Sequence, residues 1–194
     1  MSKNQIKNIK KTLLSDNYYT LNKLNFDYQM PDGSWVNQMR EVYERGHGAG
    51  ILLYNTTKKT VILIKQFRMP TFMHDNKDGF LIEIPAGLLD LDNPEQCIIR
   101  ETEEEVGIRL TSVKKVYEGY SSPGVLTEKM QFFVGEYTDA MKVSEGGGLA
   151  SESEDIEVLE IPFTEAVRML ENGEIVDTRT IVLLQYAQIH KLVE

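Results

Sequence analysis

Cysteine and histidine are scarce in this chain of 194 residues, and their scarcity excludes several kinds of site. Cys97 is the single cysteine, so no disulfide can form within the chain and no cysteine-based zinc site is possible. The three histidines, His47, His74 and His190, lie far apart in the sequence and lack the spacing of metal ligands. We interpret them as structural or surface residues.

Positive charge is also in short supply. The chain has 21 Lys and Arg against 30 Asp and Glu, which gives a formal net charge of −9. A protein of this charge is poorly suited to binding a nucleic-acid backbone. If the substrate is an anion, local arginines and a metal ion must bind it, because the overall field of the protein repels it.

Long apolar segments are missing as well. The N-terminus has no apolar stretch of the signal-peptide type, and no segment approaches the length of a membrane span. We therefore expect a cytoplasmic protein. The length and a hydrophobic content of 41% allow one globular domain with a small appendage and a substantial core.

The chain does contain a dense acidic run at residues 100–107, Arg-Glu-Thr-Glu-Glu-Glu-Val-Gly. Glu101, Glu104 and Glu105 stand at i, i+3 and i+4, so a helix places their carboxylates on one face. Like charges at this spacing cost about 0.2–0.5 kcal/mol per pair, and a bound cation removes that cost. Mg²⁺ prefers oxygen ligands and keeps waters for a phosphate-bearing substrate. The run thus predicts metal-assisted phosphate chemistry; the alternative is a solvated acidic face, which most charge runs are.

The flanking residues support a helix at this position. Asn93-Pro94 is typical of an N-cap followed by proline at N1, and Gly107 is typical of the residue after a helix. The Pro85-Ala86-Gly87 turn precedes the helix. We expect this turn to bring the Ala86 carbonyl and nearby backbone amides toward the same ion and its phosphates.

The rest of the chain mixes strands and helices, and one sheet sandwiched by helices is the natural packing. Residues 4–15 are polar and basic, and we expect them to be frayed. The predicted strands are 18–30 and 35–44, which form a hairpin, then 49–54, 60–67, 80–85, 113–120, 129–137 and 156–161. The predicted later helices are 163–172 and 178–192, and residues 138–153 form a long polar loop with three glycines.

The segment from Gly87 to Ile108 resembles the Nudix box, Gly-x5-Glu-x7-Arg-Glu-U-x-Glu-Glu-x-Gly-U, where U is usually apolar. Its second half, residues 100–108, matches position by position except that Thr102 occupies an apolar site. The first half departs from the pattern: the spacing from Gly87 to Arg100 is one residue short, and Asn93 sits near the position of the first Glu.

The resemblance extends over nearly the whole chain. It is greatest to the bacterial GDP-mannose pyrophosphatase family, a relative of the ADP-ribose pyrophosphatases, whose box has the same one-residue shortening. The similar segments are residues 14–18, 40–43, 50–55, 66–68, 86–90, 146–148 and 154–158.

This resemblance implies a fold, a reaction and an assembly. Residues 46–194 would form the Nudix α/β/α sandwich with a mixed sheet, and residues 1–45 a β-hairpin extension that makes a homodimer and lends residues to the partner's active site. The reaction would be Mg²⁺-dependent hydrolysis of a nucleoside diphosphate sugar, with Mn²⁺ able to substitute. For GDP-mannose the products would be GMP and mannose 1-phosphate. No nucleic-acid or membrane partner is expected.

The resemblance also implies roles by position. The metal ligands would be the carbonyl of Ala86 and the side chains of Glu101, Glu105 and Glu154. Glu104 would complete the catalytic acids, directly or through water. Glu152 competes with Glu154, because the loop is longer than the family leads us to expect. The substrate-binding positions would be Tyr18, Arg40, Glu41, Arg68, Ala86, Gly87, Glu128 and Arg179.

Several of these residues have a purely structural alternative. Tyr18 could pack on the hairpin, Arg68 could form a surface salt bridge, and Arg40 and Glu41 could pair across strands. Arg100 is expected to hold Glu104 or another carboxylate in place by ion pairing.

Three rival functions remain open at this point. The substrate could be ADP-ribose, giving AMP and ribose 5-phosphate, particularly since Met39 replaces a basic residue that the family has beside the arginine at position 40. The chain could be a non-catalytic nucleotide-sugar sensor, although such modules typically lose box glutamates. It could also act on damaged nucleoside triphosphates, against which the N-terminal extension argues.

Overall fold

The structure is a computed structural model that describes residues 5–74, 76–89, 93–149, 151 and 154–193. Its strands are β1 (Ile6–Asp16), β2 (Thr20–Gln29), β3 (Trp35–Glu44), β4 (His47–Asn55), β5 (Thr60–Phe67), β6 (Phe80–Glu83), β7 (Ala86–Leu89), β8 (Lys114–Tyr120), β9 (Lys129–Glu136) and β10 (Glu157–Pro162). Its helices are α1 (Met69–Phe72), α2 (Pro94–Val106), α3 (Phe163–Glu171) and α4 (Thr178–Ile189), and Asp139–Met141 form a 3-10 turn.

The chain divides into two compact units. The N-terminal unit consists of the residues up to His47 together with Gly119–Met130. The main unit consists of Gly48–Glu118 and the residues from Gln131 onward. The segment Gly119–Met130 therefore belongs with the N-terminal unit, although a division of the sequence at residue 45 would place it in the other part.

The N-terminal unit is built on a three-stranded antiparallel sheet in the order β1-β2-β3. The hairpin predicted from the sequence corresponds to β2 and β3, which pair without interruption from Thr20 opposite Glu44 to Gln29 opposite Trp35. The turn between them has Gly33 at a φ of 86°, a conformation that glycine adopts without steric cost. The predicted hairpin is thus confirmed, with a third strand added.

The third strand, β1, corrects the expectation of a frayed N-terminal segment. That prediction covered residues 4–15, of which Asn4 lies outside the described residues. From Ile6 the chain is a strand, but register shifts between Lys7 and Lys10 and between Leu13 and Ser15 interrupt its pairing with β2. Each irregularity moves the following side chains to the other face, so the alternating pattern that indicates a strand is lost from the sequence.

The main unit contains a seven-stranded sheet. Five strands follow the order β10-β5-β4-β9-β8, while β6 pairs with β5 and β7 pairs with β4. The sequence predicts most of these strands within a few residues. It misses β7, which follows β6 after only two residues and reads as a turn, and it misses the short helix α1.

Helices cover both faces of this sheet. On one face Ala49, Ile51 and Leu53 of β4 form a buried cluster with Ile98 and Val106 of α2. On the other face the alternate strand residues are equally buried. There α3 packs against β5 and β10, and α4 packs against β6. The α/β/α sandwich expected from the sequence is confirmed.

Helix α2 begins and ends where the sequence predicts. The side chain of Asn93 caps it by accepting a hydrogen bond from the N–H of Glu95 at 2.9 Å, and Pro94 is its first residue. Gly107 ends it with a φ of 76°. Helix α4, by contrast, ends at Ile189 rather than at residue 192. Within the described residues, no helix is both long and apolar enough to cross a membrane.

The end of α2 generates a prediction on stability. A Cβ at Gly107 would combine a left-handed backbone with a collision against the carbonyl oxygen of Ser144. We therefore expect Gly107→Ala to lower the free energy of unfolding by clearly more than the roughly 1–2 kcal/mol of the backbone strain alone. Urea denaturation monitored by circular dichroism measures this change.

Gly173→Ala is the matched control. Gly173 follows α3 with a φ of 74°, and nothing lies within 4 Å of the Cβ that alanine would add. It should cost only the strain of the backbone, about 1–2 kcal/mol. Equal losses for the two variants would contradict the role of Ser144.

Candidate active site

The first carboxylate of the candidate site, Glu101, lies directly against the backbone of Gly87. A Cβ at position 87 would overlap the carboxylate of Glu101, so β7 and α2 approach one another through a residue without a side chain. The side chain of Glu101 is 15% exposed and forms an ion pair with Arg100 at 3.0 Å. The glycine of the predicted box is therefore required by the position of this glutamate.

The second carboxylate, Glu105, is buried and bonded to the turn before the helix. Its side chain is almost fully excluded from solvent, and its Oε2 accepts a hydrogen bond from the N–H of Ala86 at 3.0 Å. Burial and, to a lesser extent, the negative charges of Glu101 and Glu154 together raise the pKa of this carboxyl to about 8. The Ala86 N–H and the positive charge of Arg68 act in the opposite direction. Glu101 and Glu154 are thus both close enough to Glu105 for their charges to act on its carboxyl.

The third carboxylate, Glu154, reaches this region because the glycine loop is docked on the end of α2. Gly147 donates its N–H to the carbonyl of Glu105 at 2.9 Å, and Gly148 donates to the carbonyl of Glu104 at 3.2 Å. These bonds satisfy carbonyls that the last turn of a helix leaves without partners. Both glycines have positive φ, 105° and 79°, so the loop is shaped for this contact.

Gly148 also sets the position of the Glu154 side chain. A Cβ at Gly148 would lie 2.6 Å from Oε2 of Glu154, whose carboxylate accepts a hydrogen bond from the N–H of Leu149 at 3.0 Å. The loop therefore holds its acid close to its own backbone. Glu152, the competing candidate, lies outside the described residues.

Glu104 and Arg100 behave as the sequence suggests. Nη1 of Arg100 bonds Oε2 of Glu104 at 2.8 Å, while its Nη2 pairs with Glu101. One guanidinium therefore holds two of the three helix carboxylates. Such a bidentate cation reduces the repulsion between them and fixes their direction.

The donor set fits a hard divalent cation. The carboxylate of Glu105 and the two carboxylates that act on it, beside a backbone turn, are oxygen ligands of the type Mg²⁺ prefers. Within the described part of the chain no three acidic, histidine or cysteine side chains already stand at metal-binding distance from one another. Glu105 and Glu154 are instead each bonded to a backbone N–H, so an ion would have to compete with those bonds. The Ala86 carbonyl as a ligand stays a prediction.

The predicted substrate-binding residues Arg68 and Arg179 meet on a carboxylate that the sequence analysis missed. Glu83, at the end of β6, is buried and pairs with Arg68 at 2.7 Å and with Arg179 at 3.0 Å. The signal was present in the sequence as a glutamate within an otherwise apolar strand, a residue type that is almost never fully buried unless it is paired.

The predicted substrate residues of the N-terminal unit form two groups. Tyr18 is 85% exposed, and its ring stacks edge to face on Tyr19 at 4.6 Å. The guanidinium of Arg45 lies 5.6 Å from the ring of Tyr19 and pairs with the buried Glu128 at 3.2 Å. Tyr18 and Glu128 are therefore linked through Tyr19 and Arg45, neither of which the sequence analysis singled out.

The second group, Arg40 and Glu41, lies on β3. Arg40 is exposed and donates to the carbonyl of Met39 at 2.7 Å and to Oε1 of Gln38 at 3.0 Å. Glu41 stands opposite Lys23 of β2. Adjacent strand residues point to opposite faces, so Arg40 and Glu41 present their charges in different directions.

The contact between Gly87 and Glu101 predicts a loss of metal binding. We expect Gly87→Ala to displace the Glu101 carboxylate and to weaken Mn²⁺ binding by about tenfold or more, the range found when groups that orient a ligand are lost. Mn²⁺ titration followed by electron paramagnetic resonance measures this affinity. Gly119→Ala is the control, because nothing lies within 4 Å of the Cβ it would add. Unchanged Mn²⁺ affinity in Gly87→Ala would exclude Glu101 from the metal site.

The pKa of Glu105 predicts a pH dependence in the absence of divalent metal. Because the folded-state pKa of about 8 lies above the ordinary 4.5, the folded protein keeps a proton here that the unfolded chain releases. The contribution of Glu105 to the free energy of unfolding is fully present below the ordinary pKa and is lost as the pH rises toward 8. The unfolding free energy of Glu105→Gln minus that of the native protein should grow by at most about 1.4 kcal/mol per pH unit across that window.

Urea unfolding in the presence of a chelator tests this dependence. Glu103→Gln is the matched control on the same helix. A hydrogen bond from Arg109 lowers the pKa of Glu103, so its contribution is lost only as the pH falls below its ordinary pKa of 4.5. The unfolding free energy of Glu103→Gln minus that of the native protein should not change between about pH 6 and about pH 8. A flat profile for Glu105→Gln as well would show that Glu105 ionises normally.

The chain is similar to known proteins along nearly its whole length. The NUDIX domain model matches residues 44–182, and the GDP-mannose pyrophosphatase NudK N-terminal domain model matches residues 5–43. The GDP-mannose pyrophosphatase of Yersinia enterocolitica is 53% identical over 190 residues, and that of Escherichia coli strain K12 is 50% identical over 190 residues. Both alignments cover 98% of this chain and 98% of the relative.

Among solved structures, a crystal structure of an ADP compounds hydrolase has a similar fold. The TM-score is 0.69 over 95% of this chain and 94% of that one, at 18% sequence identity. A likeness at such low identity shows the fold alone. Together with the family matches it confirms the expected Nudix fold, and the chain belongs to the Nudix hydrolases, with a NUDIX domain that follows a NudK-type N-terminal domain.

Proposed function

We propose that this Nudix hydrolase cleaves the pyrophosphate bond of a nucleoside diphosphate sugar, with GDP-mannose as substrate and GMP and mannose 1-phosphate as products. The observation that carries this proposal is the identity of 50–53% to GDP-mannose pyrophosphatases over 98% of both chains. The carboxylates of α2 and the glycine loop supply the acids such a reaction uses.

Nudix hydrolases generally require a divalent metal, and we propose Mg²⁺, with Mn²⁺ as a substitute. Glu101, Glu105 and Glu154, with the carbonyl of Ala86, would hold it. When bound, the ion neutralises charge on the diphosphate and acidifies water. The raised pKa of Glu105 means that its proton must leave before the carboxylate can act as a ligand.

The remaining residues bind and orient the substrate in this proposal. Arg68 contacts the diphosphate, since guanidinium groups match phosphate oxygens. Glu154 orients the attacking water or serves as a ligand, and Glu104 takes part through water. Arg179 and the backbone at Gly87 also contact the substrate in this proposal. The protein thereby supplies positioning and electrostatic stabilisation rather than a covalent nucleophile.

We further propose that the N-terminal unit forms a homodimer and places Tyr18, Arg40 and Glu41 against the substrate of the partner subunit, and that Glu128 contacts the sugar or the base. Support comes from the exposed apolar side chains of its sheet. Ile9 on β1 is 64% exposed and Leu13 is 56% exposed. A sheet of three strands needs a covered apolar face for stability, and a second copy would cover this one. Tyr18 would stack on the base. The cytoplasmic location expected from the sequence stays a prediction.

The proposed reaction is tested by incubating the protein with GDP-mannose and with ADP-ribose in the presence of Mg²⁺. We expect GMP and mannose 1-phosphate, separated by chromatography, and much slower hydrolysis of ADP-ribose. We expect Glu105→Gln to lower kcat/KM by at least about 100-fold, because it removes a charged group from the region where transition-state charge develops. Glu103→Gln, on the solvated side of the same helix, should leave kcat/KM nearly unchanged.

The alternatives give different outcomes in the same assay. Preference for ADP-ribose would keep the chemistry and change the substrate. Binding of GDP-mannose without turnover of any diphosphate would support a sensor. Release of pyrophosphate from a nucleoside triphosphate would indicate the third rival function.

A further inference from the structure

A single buried carboxylate, that of Glu83, binds both arginines of the candidate site. Its side chain is 2% exposed. Oε2 accepts from Nη2 of Arg68 at 2.7 Å, from Nε of Arg68 at 3.1 Å and from Nε2 of Gln66 at 3.1 Å. Oε1 pairs with Nη2 of Arg179 at 3.0 Å. Two guanidinium groups are therefore held side by side by one acid.

The charges of this cluster balance. Nε of Arg179 bonds Oδ1 of Asp177 at 3.0 Å, so two carboxylates face two guanidinium groups. Burying the carboxylate of Glu83 would be costly without such partners, because desolvation of an ion must be offset by pairing and by hydrogen bonds to its lone pairs. The pairing in this cluster thus offsets the cost of burying the Glu83 carboxylate.

Both arginines bond to this cluster through the same two nitrogens. Arg68 and Arg179 each use Nε and Nη2 for the internal carboxylates. Among the described residues, none accepts a hydrogen bond from Nη1 of either arginine. Each Nη1 consequently keeps both of its N–H groups for an anion, in addition to the second N–H of each Nη2.

The backbone around Glu83 is fixed by the start of α4. The N–H of Ile84 donates to Oγ1 of Thr180 at 2.8 Å, and that hydroxyl donates to Oδ2 of Asp177 at 2.7 Å. Asp177 also caps α4 by accepting from the N–H of Thr180 at 2.9 Å. The same short chain of hydrogen bonds therefore places Glu83 and Arg179.

A purely structural ion pair would explain the burial of Glu83 but not the direction of its partners. The side chains of Arg68 and Arg179 remain 37% and 25% exposed, while the carboxylate between them is sealed. Arg68 also lowers the pKa of Glu105, so its charge reaches the metal carboxylates. The Arg68 guanidinium is thus bonded to the internal anchor and close enough to the candidate site to act on Glu105.

We propose that Glu83 is a positioning residue that orients Arg68 and Arg179, so that their Nη1 groups bind the diphosphate of the substrate. This inference rests on the proposed function for the identity of the substrate, whereas the anchoring of the arginines does not depend on it. Glu83 contacts no reacting atom and acts only through the two arginines.

The kinetic test uses Glu83→Gln in the full-length protein with GDP-mannose and Mg²⁺. The amide keeps the shape and loses the charge that orients both guanidinium groups. Because an ordinary substrate contact is lost, KM should rise about 10- to 100-fold with little change in kcat. Glu160→Gln is the matched control, since Glu160 accepts from Lys58, Thr60 and Tyr137 at the opposite end of β5. Its KM should stay that of the native protein.

A mutant cycle separates positioning from a general loss of structure. Because Glu83 acts only through the two arginines, adding Glu83→Gln to a variant that carries both Arg68→Gln and Arg179→Gln should raise KM only slightly further. Independent, multiplicative effects on KM would overturn the proposal. If Glu83→Gln does not fold, Glu83→Asp retains the charge at a shorter reach, and a KM equal to that of the native protein would then count against positioning.

Failure of the proposed function is recognised separately. If the native protein hydrolyses none of the diphosphates, the function fails, and two measurements without turnover still test Glu83. Arginine Nε–H signals in NMR spectra should show Arg68 and Arg179 held in the native protein and averaged in Glu83→Gln. Calorimetric affinity for inorganic pyrophosphate with Mg²⁺ should fall about tenfold or more, as for lost charge-assisted contacts. Unchanged signals and affinity would refute the anchoring role.

Discussion

The hydrogen bond from the Ala86 N–H to the buried carboxylate of Glu105 is the interaction on which the site depends. Glu105 lies in the last turn of α2, where the helix dipole disfavours negative charge. Burial and the neighbouring Glu101 and Glu154 disfavour it too. Only the backbone donor and nearby cations oppose these effects. Glu105 therefore holds a proton more readily than an ordinary glutamate, and in the proposed function a divalent ion would displace that proton.

Glycine makes this arrangement possible in three places. Gly87 lets the strand approach Glu101, Gly107 lets the chain turn sharply after α2, and Gly148 lets the loop close around Glu154. At each of these positions a side chain would collide with neighbouring atoms. Its absence lets carboxylates from distant parts of the sequence approach one another. The glycine loop is consequently a fixed part of the site in this structure, with its N–H groups bonded to α2.

The sequence predicts those parts of the molecule that local patterns govern. Asn93 and Gly107 fix the ends of α2 through capping chemistry that acts over a few residues, and alternation identifies β2 and β3. The strand β1 is not predicted from the sequence, because its register shifts break the alternation. Glu83 and Arg45 were not identified from the sequence for another reason. Their ion-pair partners lie far away in the sequence, and only the fold brings them together.

The balance of charge around the arginines explains how a protein of net charge −9 can bind an anion. Glu83 and Asp177 offset the charges of Arg68 and Arg179, so these arginines add little net positive potential. The two arginines instead provide donors in a fixed orientation, because each guanidinium is bonded through two of its nitrogens and its third nitrogen, Nη1, is left to donate. In the proposed function, net positive charge would then come from a metal ion held by the carboxylates. Attraction and orientation are thereby assigned to different groups, which explains why the site needs both.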